Sequence, residues 1–328
     1  MIHKEPESPW WLVCANLVED ENVSANYWSK WVSSIGIEDI SGQELTLATH
    51  LFSKWRESDT MDFDPRIRGN AKRTFFVGAK YARAIEEIDR VMLDKGIAHA
   101  WLRESGMSSG NFGSGQFLPV HKLEMLINAR LEWKANEVLS SLGWSEKEST
   151  RTAVVYSNQD NLELCLFYEI NPHWTQDMHD DLQTCISQEA SGVSLLLDLL
   201  SQIQLERESV DWLRILESML LLRHLATIDK WETLIKGARD YLVLEPLMKV
   251  YRHFIEVFPE YSHIQIQVPG VELRLHAAYG DYMSSRSLPD KVRYHLARYR
   301  AINSVSEGLV SPLNYVLATR SSRKERRT

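Results

Sequence analysis

Side chains able to do chemistry gather in three stretches of this sequence. In NPHWTQDMHDD, residues His173, Asp177, His179, Asp180 and Asp181 fall within nine positions. Histidine beside carboxylate is the combination used for divalent metals and for general acid–base pairs. His173 and His179 are six residues apart, which sets them on nearly opposite sides of a helix. Thr175 reads more simply as a helix N-cap, with the acids complementing the dipole of the first turn. Ser105–Gly115, SGMSSGNFGSG, holds four glycines and four serines. Such a loop lets the backbone amides of Ser108, Ser109, Gly110, Gly113 and Gly115 approach an anion closely, although it has neither the GK[ST] ending nor the GxGxxG spacing of the known phosphate loops. Its bland alternative is a flexible connection. Near the C-terminus, Lys291, Arg293, Arg298 and Arg300 interleave with Tyr294 and Tyr299, and Arg323 and Lys324 follow in the tail. Basic residues among aromatics can hold nucleic acid, and can equally be a solvated face beside core tyrosines.

The elements that would position these residues differ between the two halves. Pro9–Val18 is rich enough in aromatic and β-branched residues to predict a strand. Helices are expected where Trp28, Trp31, Val32 and Ile35 recur, and over Gly42–Arg56 behind Ser41. Ser58–Asn70 reads as a loop; DTMDFDPRIRGN lacks the glycine and glutamate of a calcium loop, and no metal is expected. Thr74–Val77 then reads as a buried strand, Tyr81–Leu93 as an amphipathic helix ended by Gly96, and Ile97–Leu102 as a second strand. This order suits a parallel pair or a split ferredoxin-like arrangement. Val120–Leu142 reads as one long helix. Thr152–Tyr156 and Leu162–Ile170 form a hairpin around Ser157–Asn161.

The second half is helical. Val193–Leu205 leads into Ile215–Ala226 and Trp231–Pro246, joined by a turn at Thr227–Lys230 with Asp229 as the second helix's cap. Leu247–Phe258 follows, then the extended His263–Val268, and helices at Val271–Met283 and Pro289–Ala301. The pattern KWETLIKGARDYLVLEP resembles the second helix of a tetratricopeptide unit, with Leu234, Ala238 and Tyr241 at its packing positions and Pro246 at its end. A second copy can be laid on Leu273–Ser306, with Gly280, Val292, Leu296 and Tyr299 in the matching places. The resemblance implies stacked helical hairpins whose surface binds a protein.

The 328 residues, 44% hydrophobic and 25% charged, suit a globular chain of two domains. No apolar run reaches the ~18 residues of a membrane span, and the start MIHKEPESPWW lacks the order of a signal peptide, so a cytoplasmic protein is expected. Cys14, Cys165 and Cys185 show no CxxC spacing and read as small hydrophobes. From Arg286 onward ten Lys/Arg face three acids, so a basic end follows an acidic body within a net charge of −8.

These observations predict an α+β or α/β N-terminal half with a small sheet (1–172), an all-α, repeat-like half (173–318) and a basic disordered tail (319–328), mainly helical overall. The function expected is a non-catalytic adaptor or scaffold that binds a protein partner through its helical half. Nucleic acid would be a second contact through the basic end, neither membrane nor cofactor being required. The competing expectation is an enzyme acting on a phosphorylated or anionic ligand under loop 105–115, with His99, Glu104, His121 and His179 as acid–base candidates.

Overall fold

The computed structural model describes residues 8–35, 39–109, 120, 122–150, 152–168, 191–205, 211–264, 266, 276, 278, 289–290 and 293–294. Among them the chain is mainly helical, with ten α-helices and one small sheet in the middle.

WWLVCANL lies in helix α1 (Ser8–Leu17), where a strand is expected. Its apolar residues run on without alternation, and α1 is buried on nearly every side, so the backbone must be satisfied within the segment itself. Its C-terminal carbonyls are met from elsewhere: Lys54 Nζ donates to Asn16 O at 2.9 Å, and Arg223 Nη1 donates to Leu17 O at 3.1 Å. α2 (Glu21–Ser34) starts at Asp20, whose side chain accepts from Val23 N. α3 (Gly42–Lys54) starts with a reciprocal capping box of Ser41 and Glu44. Glu44 also accepts from Trp31 Nε1 at 3.1 Å and Ser8 Oγ at 2.9 Å, tying the three helices together.

Thr74–Val77 is not a strand. It lies inside α4 (Pro65–Asp94), a 30-residue helix opened by Asp64 and Pro65. Ile67, Ala71, Tyr81, Ala84, Ile85, Ile88 and Met92 mark one buried face at helical spacing, and that periodicity overrides the local strand preference of Thr-Phe-Phe-Val. The predicted loop 58–70 accordingly ends at Asp64.

Gly96, at φ 66, turns the chain into β1 (His99–Trp101), and α5 (Arg103–Ser109) follows at once. The single helix expected over Val120–Leu142 is instead β2 (Leu123–Ile127), a 3-10 turn over Ala129–Leu131, and α6 (Glu132–Ser141). Asn128 breaks the segment by accepting from Arg130 N with its side chain. β3 (Ser145–Ser149), β4 (Ala153–Ser157) and β5 (Glu163–Phe167) complete a sheet of order β1-β2-β5-β4-β3. The β2/β5 pair is parallel and the others are antiparallel. The β4/β5 hairpin is as expected: Asn158 Oδ1 accepts from Asp160 N and Leu162 N.

The second half holds α7 (Ser191–Leu205), α8 (Trp212–Thr227), α9 (Trp231–Asp240) and α10 (Leu244–Val257). Asp229 does not cap α9. It takes φ 51 in the turn, and Lys230 stands at the cap without a side-chain bond. α9 stops at Asp240 rather than running to Pro246, because Leu242 turns to φ 60 and Val243 N reaches back to Ala238 O at 2.8 Å. Pro246 then sits in the first turn of α10, where no N–H is needed.

Two principal cores result. Residues of α1–α3, the start of α4 and α7–α10 share one, so it draws on both sides of residue 172. The later part of α4, α6 and one face of the sheet make the other.

Candidate functional site

The other face of the sheet meets the helical core, and charged groups are buried at that junction. Along β2, Leu123, Met125 and Ile127 face α4 and α6, whereas Glu124 faces the opposite way with Leu126. Arg103 lies two residues beyond the end of β1 and takes φ 48, a left-handed conformation costing a non-glycine residue about 1–2 kcal/mol. Its guanidinium lies under the sheet, with Nη1 2.5 Å from Glu124 Oε1, Nε 3.4 Å from Asp198 Oδ2 of α7, and Phe167 stacked at 5.2 Å. Lys122 Nζ reaches the same Glu124 oxygen at 2.8 Å. Ser105 Oγ accepts from Glu124 N at 3.0 Å and so fastens α5 to β2. Gly106 lets α5 approach both α7 and β1: a Cβ there would stand 2.6 Å from Leu195 Cδ2 and 2.7 Å from Trp101 O.

Arg103, Glu124, Asp198 and, on α8, Glu217 are all buried. Neither carboxylate oxygen of Asp198 has a hydrogen bond, nor has Glu217 Oε1 or the neighbouring Ser218 Oγ. The Arg103–Asp198 contact at 3.4 Å is therefore an ion pair without hydrogen-bond geometry. Burial pushes the Asp198 carboxyl up, against the pull of Arg103. Burial, then Glu104 and Asp211, raise Glu217 well above the usual carboxylate range, with Arg214 opposing. Burial therefore favours the protonated form of both carboxyls at the junction. Burial also lifts the Cys165 thiol, next to Glu124 in the β2/β5 register, to about 11, and that of Cys14 to about 12. Both are free thiols, and a raised pKa disfavours the thiolate form.

The expected site residues divide as follows. Glu104 lies on the first turn of α5 and acts on Glu217. His99 is on the opposite sheet face, with Nε2 2.6 Å from Asp89 Oδ1 and Nδ1 3.1 Å from Ile97 O; Trp101 Nε1 donates to the same Asp89 oxygen. The sheet therefore separates two groups proposed as acid–base partners. Ser108 and Ser109 end α5. His121, His179, Gly110, Gly113, Gly115, Lys291, Arg298, Arg300, Arg323 and Lys324 lie outside the described residues. Arg293 has Nη1 3.4 Å from Asp290 Oδ1. Among the described residues no group of three or more His, Cys, Asp or Glu is placed to hold a metal ion.

Sequence reasoning missed Arg103, Glu124, Asp198 and Glu217. Three of them carried a usable signal: LEMLI, LLLDLL and ILESML each hold one acid inside an apolar run. An acid so placed is forced into a core and needs a partner there.

A second feature faces solvent. About a third of the way along α4, Phe75 is 73% exposed and Phe76 69%, their rings edge to face at 6.0 Å. The chain matches no protein-family model, no curated protein and no solved structure in the comparisons made.

Proposed function

We propose that this chain is a non-catalytic adaptor or scaffold subunit that holds a protein partner. The observation that carries this is the exposed Phe75–Phe76 pair on α4. Large side chains left in water on a well-packed helix mark a surface that something else covers. Full burial of each ring would contribute about 1.5–3 kcal/mol to such a contact. The closed junction fits the same reading, since Arg103, Glu124, Asp198 and Glu217 sit where they join two cores rather than where they meet a substrate. The strand expected at Thr74–Val77 beside the competing enzyme site is helix, and most of loop 105–115, with His121 and His179, lies outside the described residues. Among the described residues no helix is long and apolar enough to cross a membrane. The cytoplasmic location expected from the sequence remains part of this proposal.

The test is size-exclusion chromatography of the tagged full chain from its native source, after nuclease treatment. The expected outcome is co-elution with a second protein at fixed stoichiometry. Elution as the lone chain, with no partner at any salt concentration, would contradict the proposal.

A further inference from the structure

Between Asp64 and Glu86 the chain contains no acidic residue, but it has Arg66, Arg68, Lys72, Arg73, Lys80 and Arg83. The inner residues of α4 pack on the helical core before this span and on the sheet after it, so residues 72–80 bridge the two with their outer side in water. Lys72, Phe76, Ala79 and Arg83 follow at intervals of four, three and four and form one exposed stripe. Arg73 and Lys80 flank it on one side and Phe75 on the other. Arg68 is paired with Asp62, and Lys80 with Asp160. Among the described residues no carboxylate pairs with Lys72, Arg73 or Arg83. The uncompensated charge therefore lies around the two phenylalanines.

We infer that this stripe is the docking surface of the adaptor, and that its occupant is a protein groove with an apolar floor and a carboxylate rim. This rests on the adaptor reading above and specifies its partner. Charge complementarity requires an anionic rim, and two aromatic knobs on a convex helix require an apolar hollow, as when a helix is laid into a groove by anchors three and four residues apart. The alternative polyanion, nucleic acid, is disfavoured by the extent of the patch. From Lys72 to Arg83 it measures about 16 Å. Acids bound it at both ends, Asp62 and Asp64 before it and Glu86 and Glu87 after it. A phosphate strand continuing along the helix would meet those carboxylates, whereas a groove of matching length would not. A contact this small belongs to the weak, transient class of interfaces.

The test introduces the photo-reactive p-benzoyl-phenylalanine in place of Phe76 in the full chain, and separately in place of Ile228, which is exposed in the helical half. Cells of the native source are then irradiated. The expected result is a protein cross-linked to position 76 within a segment of apolar residues bracketed by Asp or Glu. The yield should fall at least tenfold in the K72E/R73E/R83E variant and recover when the nearest carboxylates of the linked segment are changed to Lys. All three sites are exposed, and circular dichroism should show the variant folded. A link removed by nuclease, a link to lipid, a link to a second copy of this chain, or a segment without carboxylates would overturn the inference. Protein captured at position 228 but not at position 76 would remove this inference and the Phe75–Phe76 observation, and would keep an adaptor only as one that binds its partner through the helical half. Capture at neither position would remove both.

Discussion

Glu217 illustrates how one buried side chain makes stability depend on pH. Its folded-state pKa is raised, first by burial and then by Glu104 and Asp211. A carboxyl of this kind takes up its proton more readily folded than unfolded, so stability falls as pH rises above the unfolded carboxylate pKa. Glu217→Gln should therefore raise the melting temperature at pH 7, by the order of 1 kcal/mol in stability, and change it little near pH 4. Equal shifts at both values would contradict the charge argument. Arg103 acts in the opposite sense: Arg103→Met leaves Glu124 and Asp198 without their shared cation and should cost roughly 3–5 kcal/mol. Asp198→Asn added to that variant should recover part of the loss, a coupling that a double-mutant cycle by chemical denaturation would measure. His50 contributes to stability on the acid side. Asn16 Nδ2 donates to Leu12 O and Leu47 O, so its Oδ1 accepts from His50 Nδ1 at 2.6 Å, while Nε2 is buried without a partner, which favours the neutral ring. Burial lowers the pKa of His50, and likewise His276, to about 4. The stability these rings contribute is full above the unfolded value near 6.5 and is lost as pH falls from there towards 4. His50→Gln should flatten that part of the melting-temperature profile.

At the scale of elements, what could be read from the sequence depended on where the signal lay. The helix start behind Ser41 and the turn over Ser157–Asn161 are local chemistry, and both are where the sequence puts them. Thr74–Val77 and Pro9–Val18 carry local strand preference, yet burial on a distant partner decides them, and a short window does not contain that partner. Leu123–Ile127 was absorbed into a neighbouring helix because five buried residues in a row have no period of their own. The junction residues were hidden for a related reason: Arg103, Glu124, Asp198 and Glu217 come together from four elements, and no spacing along the chain connects them. The lone acids in apolar runs marked the positions but not the partners. Glycine substitutions test this packing. Gly106→Ala would drive a Cβ into Leu195 and the Trp101 carbonyl and should destabilise by about 1–3 kcal/mol. Gly78→Ala lies in a helix with open space around it and should stabilise by roughly 0.5–1 kcal/mol. Thermal denaturation of the two variants should show shifts of opposite sign.

At the scale of the whole molecule, the helical core joins α1–α3 to α7–α10, and the sheet is held against it through the ionic junction and Gly106. α4 belongs to both parts, with Ile67 in the helical core and Ile88 in the sheet core. That arrangement leaves its middle, with Phe75 and Phe76, facing water between the two cores. Hydroxyl-radical footprinting of Phe75 and Phe76, in the purified chain and in the complex isolated from the native source, asks most directly whether that surface is used. We predict rapid oxidation of both rings in the free chain and strong protection in the complex, with Trp133, also exposed, oxidised alike in both. Equal oxidation of Phe75 and Phe76 in the two samples would contradict it.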